Sequence, residues 1–160
     1  MIKIGQGFDI HRLIAGDGFV LGGVFIPSQY AVVAHSDGDV LIHAICDALL
    51  GALGMGDIGQ HFPDTDPQYS QANSRVFLQT IVGWMQEKGY QIGNLDATII
   101  VERPILKTWL PAVCEILHVD LQCDLSCLNL KAKTHEKLDS IGQNQGIAVH
   151  CVVCLNRNPS

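Results

Sequence analysis

Basic residues are scarce in this chain. Lysine and arginine total 10 against 16 aspartates and glutamates, for a formal net charge of −6. A nucleic-acid surface needs clustered positive charge, so the balance argues against that class of partner. No apolar run reaches the roughly 20 residues of a membrane-spanning helix. Repeats, low-complexity tracts and linkers are absent too. Met1 leads straight into Ile2-Lys3-Ile4, a strand pattern and not a signal or transit segment. The expectation is a cytoplasmic protein that binds neither nucleic acid nor membrane. Net negative charge does not exclude phosphorylated small molecules, because bound cations can supply positive charge locally.

Apolar sequence is plentiful, at 48% of 160 residues. The length fits one domain over residues 1–160. So apolar a chain of this size often hides surface in an oligomer. The six cysteines include Cys151-Val-Val-Cys154, which has the spacing of a redox or zinc motif. It lies in a run that reads as a buried strand, where residues i and i+3 face opposite ways. All six are therefore read as small core residues.

Residues 2–11 read as a strand interrupted by Gly5 and Gly7. Phe19 to Ile26 reads as a hairpin turning at Gly22-Gly23. Residues 40–53 are helical and apolar nearly all round, with Asp37 or Asp39 as cap and Gly54 as stop. Residues 54–72 form a long Gly-, Asp- and Pro-rich loop of the kind that is usually functional. Residues 73–88 form an amphipathic helix. A helix over 108–118 requires Pro111 in its first turn. Strands are expected at 95–102, 126–133 and 146–155, and the whole is α+β or α/β.

Asp9 and His11 are two apart in an extended run, so they point to one side. A carboxylate beside an imidazole suits zinc, and His43 is the best third ligand. Three protein donors with an open fourth position mark a working zinc and not a structural one. Asp39, His43 and Asp47 stack on one helix face, so a carboxylate one turn away can orient the imidazole. His35 and Ser36 precede a helix N-terminus and offer an anion site, or only a capping loop. Asp57, Asp64 and Asp66 can bind sugar hydroxyls or merely shape turns. Thr134-His135-Glu136-Lys137 is a helix start or a phosphate and metal site.

Several runs recur in order: Gly-Phe-Asp-Ile-His at 7–11, Ala-His-Ser-Asp-Gly-Asp-Val at 34–40, and Asp-Ala-Leu-Leu-Gly-Ala at 47–52. Gly-Asp-Ile-Gly at 56–59, Phe-Pro-Asp-Thr-Asp-Pro at 62–67 and Glu-Lys-Leu at 136–138 follow. With them the chain closely resembles the 2-C-methyl-D-erythritol 2,4-cyclodiphosphate synthases of non-mevalonate isoprenoid biosynthesis, nearly end to end. The resemblance implies an α+β fold, one sheet with helices on one face. It implies a homotrimer with the sheets around a central cavity and active sites between subunits. It implies zinc on Asp9, His11 and His43, and magnesium or manganese on Glu136 and the substrate diphosphate. The substrate would be a cytidine diphosphate carrying 2-phospho-methylerythritol. Its 2-phosphate attacks the β-phosphorus, CMP leaves, and the enzyme classes as a phosphorus–oxygen lyase. His35 and Thr134 would stabilise the transition state, Asp57 and Gly59 hold the ribose, and Asp64 with the loop at Phe62 hold the erythritol. Ser36, Asp66, Lys133 and His135 join these as candidate substrate-binding residues.

Departures from the family pattern come late. Lys133 and His135 replace threonines, Asp139 and Ser140 replace Gly-Phe, and Ile105 replaces a lysine. Gln143 and Gln145 stand where Arg and Glu are usual, so a central cavity less selective for diphosphates is expected. Two other readings compete: a different zinc-dependent phosphohydrolase, and a non-catalytic trimeric binding protein.

Overall fold

Gly5 and Gly7 do not break the first strand. In the computed structural model, which describes residues 1–158, β1 runs unbroken over Ile2–Ala15. The two glycines instead make room for the helix α1 (Val40–Leu53). A Cβ on Gly7 would fall 1.9 Å from the Ala44 carbonyl oxygen, and one on Gly5 1.8 Å from that of Ala48. Two strand residues advance about 6.6 Å and four helix residues about 6.0 Å, so the pairs Gly5–Ala48 and Gly7–Ala44 stay in step. The next step brings Asp9 to the first turn of α1, where His43 sits.

Further elements follow β1. β2 (Gly18–Leu21) and β3 (Val24–Pro27) form the expected hairpin, β4 is Tyr30–Val33, α2 is the single turn Ile58–His61 and α3 is Ser74–Glu87. Then come β5 (Tyr90–Ile100), α4 (Leu110–Leu121), β6 (Leu128–Lys133), α5 (Asp139–Gly142) and β7 (Gly146–Arg157). Pro111 lies in the first turn of α4, where its missing N–H costs nothing. The segment 54–72 is less irregular than its composition suggests, because Asp57 and Asp66 cap α2 and a 3-10 turn at Pro67–Tyr69.

The main sheet has the order β4-β1-β7-β5-β6, with only the β5–β6 pair parallel. Its inner face, including Gly5, Gly7, Leu13, Val149, Cys151 and Val153, is buried under the helices. The outer face is bare and apolar: Ile2, Ile4, Phe8, Ile10, Ile14 and Val152 are exposed, Ile4 to 71%. The fold is thus α+β, with helices on one face of the sheet. Among the described residues no helix is long and apolar enough to cross a membrane. All six cysteines are free. Cys151 faces the core and burial pushes its thiol up to about 12, which keeps it unreactive near neutrality.

Asp39 joins three parts of the fold. Its wholly buried carboxylate accepts N–H groups from Gly22, Gly23 and Ile42 at 2.8–3.1 Å. It caps α1 and ties the hairpin turn to it. Asp39→Ala strands three donors, and a loss of about 2–4 kcal/mol in unfolding free energy is expected from urea titration.

Candidate metal and substrate site

Three donor atoms meet at the junction of β1 and α1. Asp9 Oδ2, His11 Nε2 and His43 Nδ1 are each 3.1 Å from the other two. Among the described residues this is the one group of three able to hold a metal ion. Donors about 2.0–2.1 Å from a tetrahedral ion lie roughly 3.3 Å apart. The triangle therefore fits such an ion closely, and three ligands leave a fourth position free. A mixed carboxylate and imidazole set suits zinc and other first-row divalent ions.

The local charges agree. Burial would raise the Asp9 pKa, but hydrogen bonds and charge from His11 and His43 outweigh it and hold the carboxyl well below the usual range. Burial would lower that of His43, yet its bond to Asp9 and the nearby aspartates raise it. An incoming metal competes with a proton at His43 Nδ1, the nitrogen that faces Asp9, so metal uptake strengthens as pH rises.

The orienting partner of His43 is not the one expected. Asp39 is committed to backbone N–H groups, and Asp47 accepts the Ile58 N–H at 2.8 Å, tying α1 to α2. The far nitrogen of His43, Nε2, instead lies 2.8 Å from the Ser74 hydroxyl, which is itself held by Asp37. Helical periodicity aligned the wrong carboxylates, because Ser74 arrives from a different helix. No signal in the sequence links Asp37 or Ser74 to His43.

The triad opens into a cavity of about 380 Å³. His35, Ser36, Asp47, Gly59, Phe62 and Asp64 line it, with Tyr69 and Phe77 as walls that the sequence did not single out. Phe62 stacks on Phe77 at 4.5 Å between centroids and lies parallel to Trp84 at 6.0 Å. That stack anchors the loop carrying Asp64. His35 is exposed, and the Ser36 hydroxyl accepts the Gly38 N–H. The N-terminus of α1 offers no open anion site, because the Asp39 carboxylate already fills it. Asp57 and Asp66 accept the Gln60 and Gln68 N–H groups and so shape the turns beside the cavity.

Lys133, Thr134, His135 and Glu136 are not brought to this cavity. Lys133 ends β6 and the other three follow it, at the far edge of the sheet, three strands from β1, or roughly 14 Å by strand spacing. They lie near the same end of the sheet, since His11 pairs with Ile147 and Lys133 with Ile100, whose partner is Ala148. There the Glu136 N–H donates to the Thr134 hydroxyl at 3.3 Å and His135 contacts Asp139 at 2.8 Å. The Gln143 amide donates to the Lys137 carbonyl at 2.8 Å.

Comparison with known proteins adds to this geometry. The model of the YgbB family matches residues 2–156. The chain is 52% identical over 154 residues to 2-C-methyl-D-erythritol 2,4-cyclodiphosphate synthase of Pseudomonas putida (strain W619), covering 96% of this chain and 98% of that one. It is 53% identical to the enzyme of the same name from Thioalkalivibrio sulfidiphilus (strain HL-EbGR7), covering 96% of each chain. A solved structure of IspF from Plasmodium falciparum in complex with CDP superposes with a TM-score of 0.89 at 37% identity, over 99% of this chain and 97% of that one.

Proposed function

The chain belongs to the YgbB family, and from that premise we infer the reaction in which it converts 4-diphosphocytidyl-2-C-methyl-D-erythritol 2-phosphate to the 2,4-cyclodiphosphate in isoprenoid biosynthesis. Released CMP makes it a phosphorus–oxygen lyase, with a cytoplasmic location as part of this reading. One observation carries it: a three-donor triangle that opens into a cavity large enough for the erythritol phosphate.

Zinc is the ion proposed for Asp9, His11 and His43, and magnesium or manganese for the hard oxygen donor Glu136. When bound, the two ions supply the positive charge that a phosphoryl transfer between anions needs. The protein's own part is positioning. Asp64 and the Phe62 loop hold the erythritol, Gly59 and Asp57 the ribose, with Ser36 and Asp66 beside them. His35 and Thr134 donate to phosphate oxygens as charge builds. Lys133 adds a positive charge at the diphosphate, and the His135 ring adds a hydrogen-bonding group beside it.

We further propose a homotrimer. Thr134 and Glu136 lie too far from the triad for both to reach one diphosphate within one chain, so a neighbouring subunit would supply them. The bare apolar face of the sheet supports the same assembly, since trimer formation would cover it.

Incubating the protein with the cytidine substrate and magnesium tests the reading: CMP and the cyclic product are expected, whereas inorganic phosphate would point to a phosphohydrolase. Glu136→Gln is expected to leave zinc in place and to lower turnover at limiting magnesium by at least about 10-fold, because a neutral amide is a poor ligand for a hard cation. Near-normal turnover there would give Glu136 another role.

A further inference from the structure

His43 can offer Nδ1 to a metal only if its proton sits on Nε2. We propose that Ser74 and Asp37 are a positioning pair that locks His43 in this tautomer and sets the affinity of the site for its metal; the proposal rests on the metal-site reading above.

The direction of the hydrogen bonds carries it. Ser74 is fully buried in the first turn of α3. Its backbone N–H donates to Asp37 Oδ2 at 2.9 Å, and its hydroxyl donates to Asp37 Oδ1 in a short bond. Oδ1 also accepts the Asp39 N–H at 3.2 Å. A carboxylate receiving these donors can only accept. The hydroxyl proton of Ser74 is therefore committed to Asp37, and what Ser74 turns toward His43 Nε2, 2.8 Å away, is a lone pair. Nε2 must then be the donor. Ser36 Oγ is a second acceptor for the same nitrogen, but at 3.3 Å and already bonded to the Gly38 N–H. The line Asp37–Ser74–His43 thus runs outward from a buried helix start to the metal-facing Nδ1. It also joins α3 to the loop before α1, so the imidazole is held from two elements besides its own.

Two substitutions interrupt the line differently. Ser74→Ala removes the acceptor and leaves Nε2 with the longer Ser36 contact. Asp37→Asn keeps the shape but replaces one acceptor with an NH₂ donor. If that donor faces Ser74, the hydroxyl must turn and donate to Nε2, which moves the imidazole proton to Nδ1, where it blocks the metal.

Zinc affinity measured by competition with a chromophoric chelator tests this, on the assembled protein, for both variants and the double variant. Each single variant is expected to bind zinc about 10–100-fold more weakly, the range for lost orienting partners of metal-bound histidines. The double variant should be no weaker than the worse single one, since both act through one hydrogen-bond line. Raising free zinc should restore turnover, which it would not do for a helix start that had merely unfolded. Unchanged affinity in both single variants, additive losses in the double, or turnover that excess zinc does not restore would each overturn the pair. Failure of the unmodified protein to bind zinc would overturn the metal reading itself, and the pair with it.

Discussion

His43→Ala is expected to lower turnover by on the order of 1,000-fold or more and to strip zinc from the purified protein, since two donors rarely retain an ion that needs three. The triangle with 3.1 Å edges loses a corner, and neither Asp39 nor Asp47 can replace it, because their carboxylates are held by backbone N–H groups elsewhere. Asp9 also loses one of the two histidines that keep its carboxyl ionised against burial. The fold should survive, because α1 keeps its Asp39 cap and its buried apolar residues. Metal analysis with a steady-state assay checks the prediction, and full zinc occupancy in the variant would refute the ligand set.

Gly7→Ala is expected to be nearly as damaging although the residue touches no substrate. Its Cβ would lie 1.9 Å from the Ala44 carbonyl oxygen and 2.8 Å from the Ala48 backbone nitrogen, and neither is the end of a flexible side chain. The helix must lift from the strand, and His43 is the residue just before Ala44. A loss of about 3 kcal/mol in stability is expected, the upper part of the overpacking range, together with weaker zinc binding. Gly51→Ala is the control. It sits on the exposed side of the same helix, where the nearest atom to a Cβ is 3.8 Å away, and it should stabilise the protein by up to about 1 kcal/mol. Thermal melts and chelator titrations of the two variants separate the effects. Equal behaviour would mean that the close approach of α1 to β1 does not set the site.

Much of the site was legible in the chain because its determinants are local. Alternation along β1 places Asp9 and His11 on one face whatever the rest of the protein does. The apolar run at 40–53 can only be a buried helix, which carries His43 inward. Glycine pairs and capping aspartates announce the hairpin and the turns. The motif runs at 7–11 and 34–40 together name the family before any coordinates do.

Three things were decided only by the tertiary structure. Gly5 and Gly7 look like strand breakers, yet they are contact points, because their use depends on a helix 37 or more residues away pressing its carbonyls against them. The orienting partner of His43 is Ser74, and a helix wheel cannot find a residue that arrives on another helix. Thr134 and Glu136 read as neighbours of the triad in function, but they lie just beyond the edge strand β6, three places from β1. Periodicity determines which residues share a face. Strand order and helix docking determine which faces meet, and they come from the summed packing of the whole core, which no local pattern encodes.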